Sequence, residues 1–155
     1  MKYVKTMNTK IGKISLIEED SKIIEIRVNK KVENDITKKD TLVLKETEKQ
    51  LEEYFKGKRK TFDVPLNPKG PNFMKKVWTA LQNIPYGEVK TYQQIAEEVE
   101  NPKAARAVGM ANHRNPIPII IPCHRVIGSN GKLVGYALGM DIKKFLLDWE
   151  KENNV

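Results

Sequence analysis

The segment that most restricts the fold is Asn115-Pro-Ile-Pro-Ile-Ile-Ile-Pro-Cys-His-Arg-Val126. It holds the longest apolar stretch of the chain, Ile117 to Ile121, and Pro116, Pro118 and Pro122 break it. Proline fixes φ and removes a backbone donor, so the segment is expected to run extended rather than helical. It falls far short of the roughly 18 apolar residues that a membrane helix needs, and no membrane partner is expected. Its end sets Cys123 directly against His124 and Arg125. Cys123 is the only cysteine, which excludes an internal disulfide and a multi-thiolate zinc site. A lone cysteine is most often a small buried hydrophobe. A reactive one, with an ordinary pKa of about 8.5, needs a neighbouring base and cation to ionise at neutral pH. Successive strand residues point to opposite faces. Cys123 and His124 therefore cooperate only if the chain turns at Pro122 or a water links them, and otherwise His124 is an imidazole bonded to backbone.

The 155 residues suffice for one average domain or two small ones. Lys2 to Thr6, Gly12 to Ile17 and Lys22 to Val28 alternate as short strands of a small antiparallel sheet. Leu42, Leu44, Leu51, Tyr54 and Phe55 fit a helix from about Asp40 to Lys56, stopped by Gly57. Residues 63–72 hold three prolines and a glycine and read as a linker, dividing the chain into domains 1–69 and 70–155.

Beyond the linker, Phe73, Val77, Trp78 and Leu81 mark an amphipathic helix that ends before Pro85. Thr91-x-x-Gln94 is a capping box for a short helix through Val99, with Ile95, Ala96 and Val99 inward. Asn101-Pro102 supplies an N-cap and first-turn proline for a helix from Lys103 to about His113. Two short helices and a tight turn make a helix-turn-helix, or simply a close-packed helix pair. Ala104, Ala105, Ala107, Gly109 and Ala111 give the second helix small sides, with Arg106 its long cation. Arg125-Val-Ile, the turn Ser129-Asn-Gly131 and Lys132-Leu-Val read as a hairpin, the wing of such a module. A last helix follows an Asp141 N-cap, with Ile142, Phe145, Leu146 and Trp149 in register and Glu150 at the edge of the buried stripe.

Charge adds a direction. The chain carries 28 Lys and Arg against 20 Asp and Glu, a net +8. Between Asn101 and Met140 stand Lys103, Arg106, Arg114, Arg125 and Lys132 with no acid at all, a candidate surface for a polyanion. The N-terminus offers no apolar signal region, so a cytoplasmic location is the expectation.

Ile-Pro-Cys-His-Arg-Val, preceded by Arg106-Ala-Val-Gly109 and Asn115-Pro-x-Pro118, resembles the O6-alkylguanine-DNA alkyltransferase family from about Phe73 to Glu150. The resemblance implies an α+β fold: an RNase H-like N-terminal sheet with a helix, then a winged helix-turn-helix. It implies transfer of an alkyl group from O6-alkylguanine, and O4-alkylthymine, in double-stranded DNA to Cys123, once per molecule, by a monomer that needs no cofactor or metal. His124 would deprotonate the thiol through a water, Glu150 would orient the imidazole, and Asn115 would fix the turn. Tyr92 would act on the flipped guanine and help to protonate it. Arg106 would fill the vacated stack, while Lys103, Ala104, Ala105, Arg114 and Arg125 would face the DNA. Pro118, Val126, Tyr136, Ala137 and Leu138 would line the alkyl pocket.

The chain departs from that pattern at one place. The family's loop of an aromatic, a small residue and two glycines here reads Tyr136-Ala137-Leu138-Gly139. If position 138 needs a positive φ, leucine costs of order 1 kcal/mol there, and methyl groups should be favoured over bulky ones. Two other classes of function compete. A DNA-binding protein that marks damage without repair would not need Cys123. A cysteine hydrolase would leave the helix-turn-helix unexplained and lacks an oxyanion-hole glycine motif.

Overall fold

The computed structural model describes residues 1–133 and 136–155. The chain forms two compact units, Met1–Lys69 and Gly70–Val155, and the architecture is mixed α+β. Among the described residues, no helix is long and apolar enough to cross a membrane.

In the first unit, strands β1 (Lys2–Thr9), β2 (Gly12–Glu19) and β3 (Lys22–Val28) form an antiparallel meander. Asp20 and Ser21, both at positive φ (53° and 63°), make the two-residue turn that the right-handed twist of a hairpin favours. A two-residue strand β4 (Thr37–Lys38) pairs parallel to β1, giving the order β3-β2-β1-β4. Helix α1 (Leu42–Phe55) begins at Thr41, whose hydroxyl accepts the Leu44 N–H, and stops at Gly57, where φ is 74°. It buries Leu44, Leu51, Tyr54 and Phe55. Val4, Ile17 and Ile24 form a buried cluster against which Val32 and Ile36 pack. The proline-rich stretch is less loose than its composition suggests. The Pro65 carbonyl accepts the Ile23 N–H (2.9 Å) and the Asn67 N–H reaches the Ile23 carbonyl (2.8 Å). Proline lacks a donor but keeps its acceptor, so this half of the expected linker is stitched to β3.

The second unit contains α2 (Asn72–Leu81), α3 (Tyr92–Glu98), α4 (Ala105–His113) and α5 (Met140–Glu152). Strand β5 (Lys90–Thr91) pairs parallel with β6 (Val126–Ile127). Both halves of the Thr91–Gln94 capping box form at α3. Its far end closes with the Asn101 N–H on the Ala96 carbonyl and the Glu100 N–H on the Glu97 carbonyl, with Glu100 at φ 61°. The Asn101 carbonyl then accepts the Ala104 N–H (2.9 Å) in a turn of its own, and α4 starts at Ala105 rather than Lys103, with Ala104 as its cap. Likewise α5 is entered through Gly139 at φ 99°, and Asp141 sits in the first turn, where the helix dipole favours it, not at the cap. The Trp78 indole N–H donates to the Ala111 carbonyl (2.8 Å) and ties α2 to α4. Of the expected wing, the turn is present: the Gly128 N–H meets the Lys132 carbonyl at 2.9 Å. Its second arm runs into Val134, which with Gly135 lies outside the described residues.

Candidate active site

The segment carrying Cys123 is not extended, because its prolines drive a succession of tight turns. The Ile120 N–H bonds the Pro118 carbonyl across Ile119, which stands at φ 75°. A positive φ at a β-branched residue is a strained outlier, here held by complete burial. Pro122 (φ −79°, ψ 66°) then centres an inverse γ-turn, closed by the Cys123 N–H on the Ile121 carbonyl at 2.7 Å. A single 3₁₀ turn follows, Cys123–Arg125. The chain does turn at Pro122, the condition under which adjacent Cys123 and His124 can work together. Asn115 fixes the approach: its Nδ2 donates to the Ile121 carbonyl (2.8 Å) and its Oδ1 accepts the Ile117 N–H (3.0 Å).

The two residues that follow Cys123 belong to a buried ionic chain. His124 Nε2 is 2.7 Å from Glu150 Oε2. Arg125 grips the same carboxylate with two nitrogens, Nε at 2.8 Å from Oε1 and Nη2 at 3.0 Å from Oε2, while Nη1 donates to the Ile84 carbonyl at 2.7 Å. Burial works to raise the Glu150 pKa, but His124 and the Arg125 guanidinium outweigh it and hold the carboxyl well below its usual range. An ionised Glu150 is acceptor only, so the shared proton belongs to Nε2. Nδ1, buried and without a hydrogen-bond partner among the described residues, is the lone pair that can take a proton. Burial pushes the His124 pKa down against the pull of Glu150, so the ring is neutral and basic at neutral pH.

Cys123 itself is 3% exposed. Burial raises its pKa, and hydrogen bonds with Asn115 and Tyr136 and the charge of Lys143 pull it back. The Tyr136 hydroxyl is 3.8 Å from Sγ. Tyr92, the first residue of α3, senses the thiolate charge of Cys123 and hydrogen-bonds the Asn112 side chain. Burial wins overall and leaves the thiol above its ordinary pKa, so forming a thiolate here calls for a nearby base. Among the described residues, no group of three His, Cys, Asp or Glu could hold a metal ion.

Residues 72–152 match the family described as 6-O-methylguanine DNA methyltransferase, DNA binding domain, and residues 2–68 its ribonuclease-like domain. The chain belongs to the 6-O-methylguanine DNA methyltransferase family. The constitutive methylated-DNA--protein-cysteine methyltransferase of Bacillus subtilis is 46% identical, with 97% of this chain and 96% of that one covered. A Methanosarcina mazei protein of the same name is 63% identical over 109 residues, 70% of this chain and 69% of its own. The Mycobacterium tuberculosis O6-methylguanine methyltransferase superimposes with a TM-score of 0.91 at 41% identity, covering 99% and 94% of the two chains. A structure of that organism's OGT in complex with DNA gives the same score over 97% and 94%.

Set beside this methyltransferase family, the expected residues fall into three groups. Cys123, His124, Glu150, Asn115 and Tyr92 gather as described. Lys103, Arg106 and Arg114 stand exposed, with Ala104 and Ala105 half-buried. Arg125 corrects the expectation that it faces DNA: it is 5% exposed and committed to Glu150, so it cannot reach a phosphate. In the pocket set, Pro118, Val126 and Tyr136 are buried, Leu138 is half-buried and Ala137 exposed. The strain considered for Leu138 is absent, since the positive φ in this loop belongs to Gly139. Lys143 was not anticipated. It is fully buried on α5, its Nζ donates to the Val126 carbonyl at 2.6 Å, and burial lowers its pKa while Cys123 raises it. The available signal was its spacing, three residues before Leu146 and seven before Glu150, on the buried stripe.

Proposed function

We propose that this chain repairs DNA by taking an alkyl group from O6 of guanine in duplex DNA onto Cys123, irreversibly and once per molecule. What carries the reading is the buried chain His124–Glu150–Arg125, which begins at the residue next to the only cysteine. His124 Nδ1 receives the thiol proton, relayed by a solvent molecule. Glu150, kept ionised by Arg125, stabilises the imidazolium that results. The thiolate attacks the alkyl carbon, a C–S bond forms as the C–O6 bond breaks, and the electron pair stays with guanine. Tyr92 supplies guanine with a proton, and solvent later returns a proton to Tyr92 and takes the extra one from His124. The thioether has no easy return path, so no second substrate is processed.

The target atom is hidden inside the duplex, so the nucleotide must be extruded at a cost of a few kcal/mol. Arg106, exposed near the start of α4, fills the gap it leaves, and Lys103 and Arg114 hold phosphates. The Mycobacterium tuberculosis relative in complex with DNA supports DNA as the partner. The protein acts as a monomer in the cytoplasm. Duplex carrying tritium on the methyl of O6-methylguanine tests the assignment. The expected result is label moving to protein until each chain carries one methyl. Label remaining on bound DNA would mean recognition only, and turnover with released label would mean hydrolysis; either overturns the proposal.

A further inference from the structure

The inner face of α4 carries a polar side chain that the transfer scheme does not use. Asn112 is 3% exposed, and its Nδ2 donates to the Cys123 carbonyl at 3.2 Å. One turn earlier stands Gly109, where an added Cβ would meet the Tyr92 ring at 3.8 Å, so the phenol lies along this face of the helix. The Asn112 side chain also hydrogen-bonds Tyr92 and opposes the rise in phenol pKa caused by burial and by the charge of Cys123. Lowering a phenol pKa is the effect of a donor, and the amide nitrogen has a second proton beyond the one given to Cys123. Asn112 Oδ1, meanwhile, is buried without a hydrogen-bond partner among the described residues. A leucine of the same shape would fill the space without an unsatisfied acceptor, so packing does not explain an amide here.

We propose that Asn112 is a positioning residue that anchors on the Cys123 carbonyl and aims the Tyr92 hydroxyl at the departing base. An oxygen that accepts a hydrogen bond becomes a stronger donor through its own proton. The amide thus makes Tyr92 the giver rather than the receiver, and ties that role to the backbone of the acceptor residue. The inference rests on the reading of Tyr92 as the proton source for guanine.

The test compares the parent, Asn112→Leu, Tyr92→Phe and the double variant, each shown folded by thermal unfolding, with Asn112→Ser replacing Asn112→Leu if the latter fails to fold. Two reactions of Cys123 are timed: transfer from O6-methylguanine duplex, and methylation by iodomethane, whose iodide leaves without a proton. Asn112→Leu should slow transfer roughly five- to tenfold, the worth of about one neutral hydrogen bond. It should leave the iodomethane rate unchanged, raise the Tyr92 pKa read by NMR of ring-labelled tyrosine, and add nothing to Tyr92→Phe. Equal slowing of both reactions, or a full further loss in the double variant while Tyr92→Phe alone is slow, overturns the role of Asn112. A Tyr92→Phe variant as fast as the parent overturns the Tyr92 reading, and this inference with it.

Discussion

His124 and Glu150 keep their charge states to lower pH in the fold than they would in water, and stability should record it. The imidazole is buried neutral with a pKa lowered below 6.5, and the carboxylate is buried ionised with a pKa far below 4.5. In both cases the unfolded chain binds a proton that the folded chain refuses. Stability is therefore whole above pH 6.5, falls as the pH drops below it through His124, and falls further below 4.5 through Glu150. Denaturant unfolding at a series of pH values should show both declines, and His124→Gln should remove the upper one. A parent curve flat from pH 7 to 5 would mean that folding does not shift the pKa of the ring, and stability rising over that interval would mean the ring is charged in the fold. Leu138 gives a second check. Because it is not at positive φ, Leu138→Gly relieves no strain and should cost up to about 1 kcal/mol of stability through added backbone freedom. If its side chain rims the pocket, the ratio of benzylguanine to methylguanine transfer rates rises in the glycine variant. An unchanged ratio would place the side chain away from the alkyl group.

At the level of elements, the hinge between α3 and α4 carries an identifiable cost. Glu100 occupies the left-handed position that ends α3, a place where glycine is preferred. Glu100→Gly should stabilise the protein by roughly 0.5–1 kcal/mol in thermal or denaturant unfolding, and destabilisation would mean that its side chain has a role of its own. This hinge also shows what the sequence could and could not disclose. The capping box at Thr91 was legible because it is a local exchange of two hydrogen bonds. The start of α4 was not, because Asn101, a good cap by type, opens a separate turn closed by the Ala104 N–H on its carbonyl. Prolines in residues 115–122 announced a non-helical segment, yet not that it would coil into γ-turns, since proline fixes φ and leaves ψ to tertiary packing. That Cys123 and His124 would lie beside a buried Glu150 was legible from a compact motif and the spacing of the last helix. Asn112, Lys143 and the true place of Arg125 were not, because polar side chains read as surface until the groups that satisfy them are seen.

For the molecule as a whole, the question is how a buried thiol meets an atom buried in a duplex. Arg106 is exposed near the start of α4, and the gap-filling role proposed for it is separable from the chemistry. Arg106→Ala should impair transfer from duplex strongly while leaving transfer from free O6-benzylguanine base nearly intact, because only the duplex has a stack to refill. Equal loss on both substrates would indicate a folding defect.

Transfer to Cys123 itself is tested most directly by locating the methyl group. After incubation with O6-methylguanine duplex, tandem mass spectrometry of the peptide spanning Ile117 to Arg125 should find one methyl on the sulfur of Cys123, and the Cys123→Ser variant should bind the duplex yet gain none. A methyl on any other side chain, or transfer that persists in Cys123→Ser, would contradict the assignment.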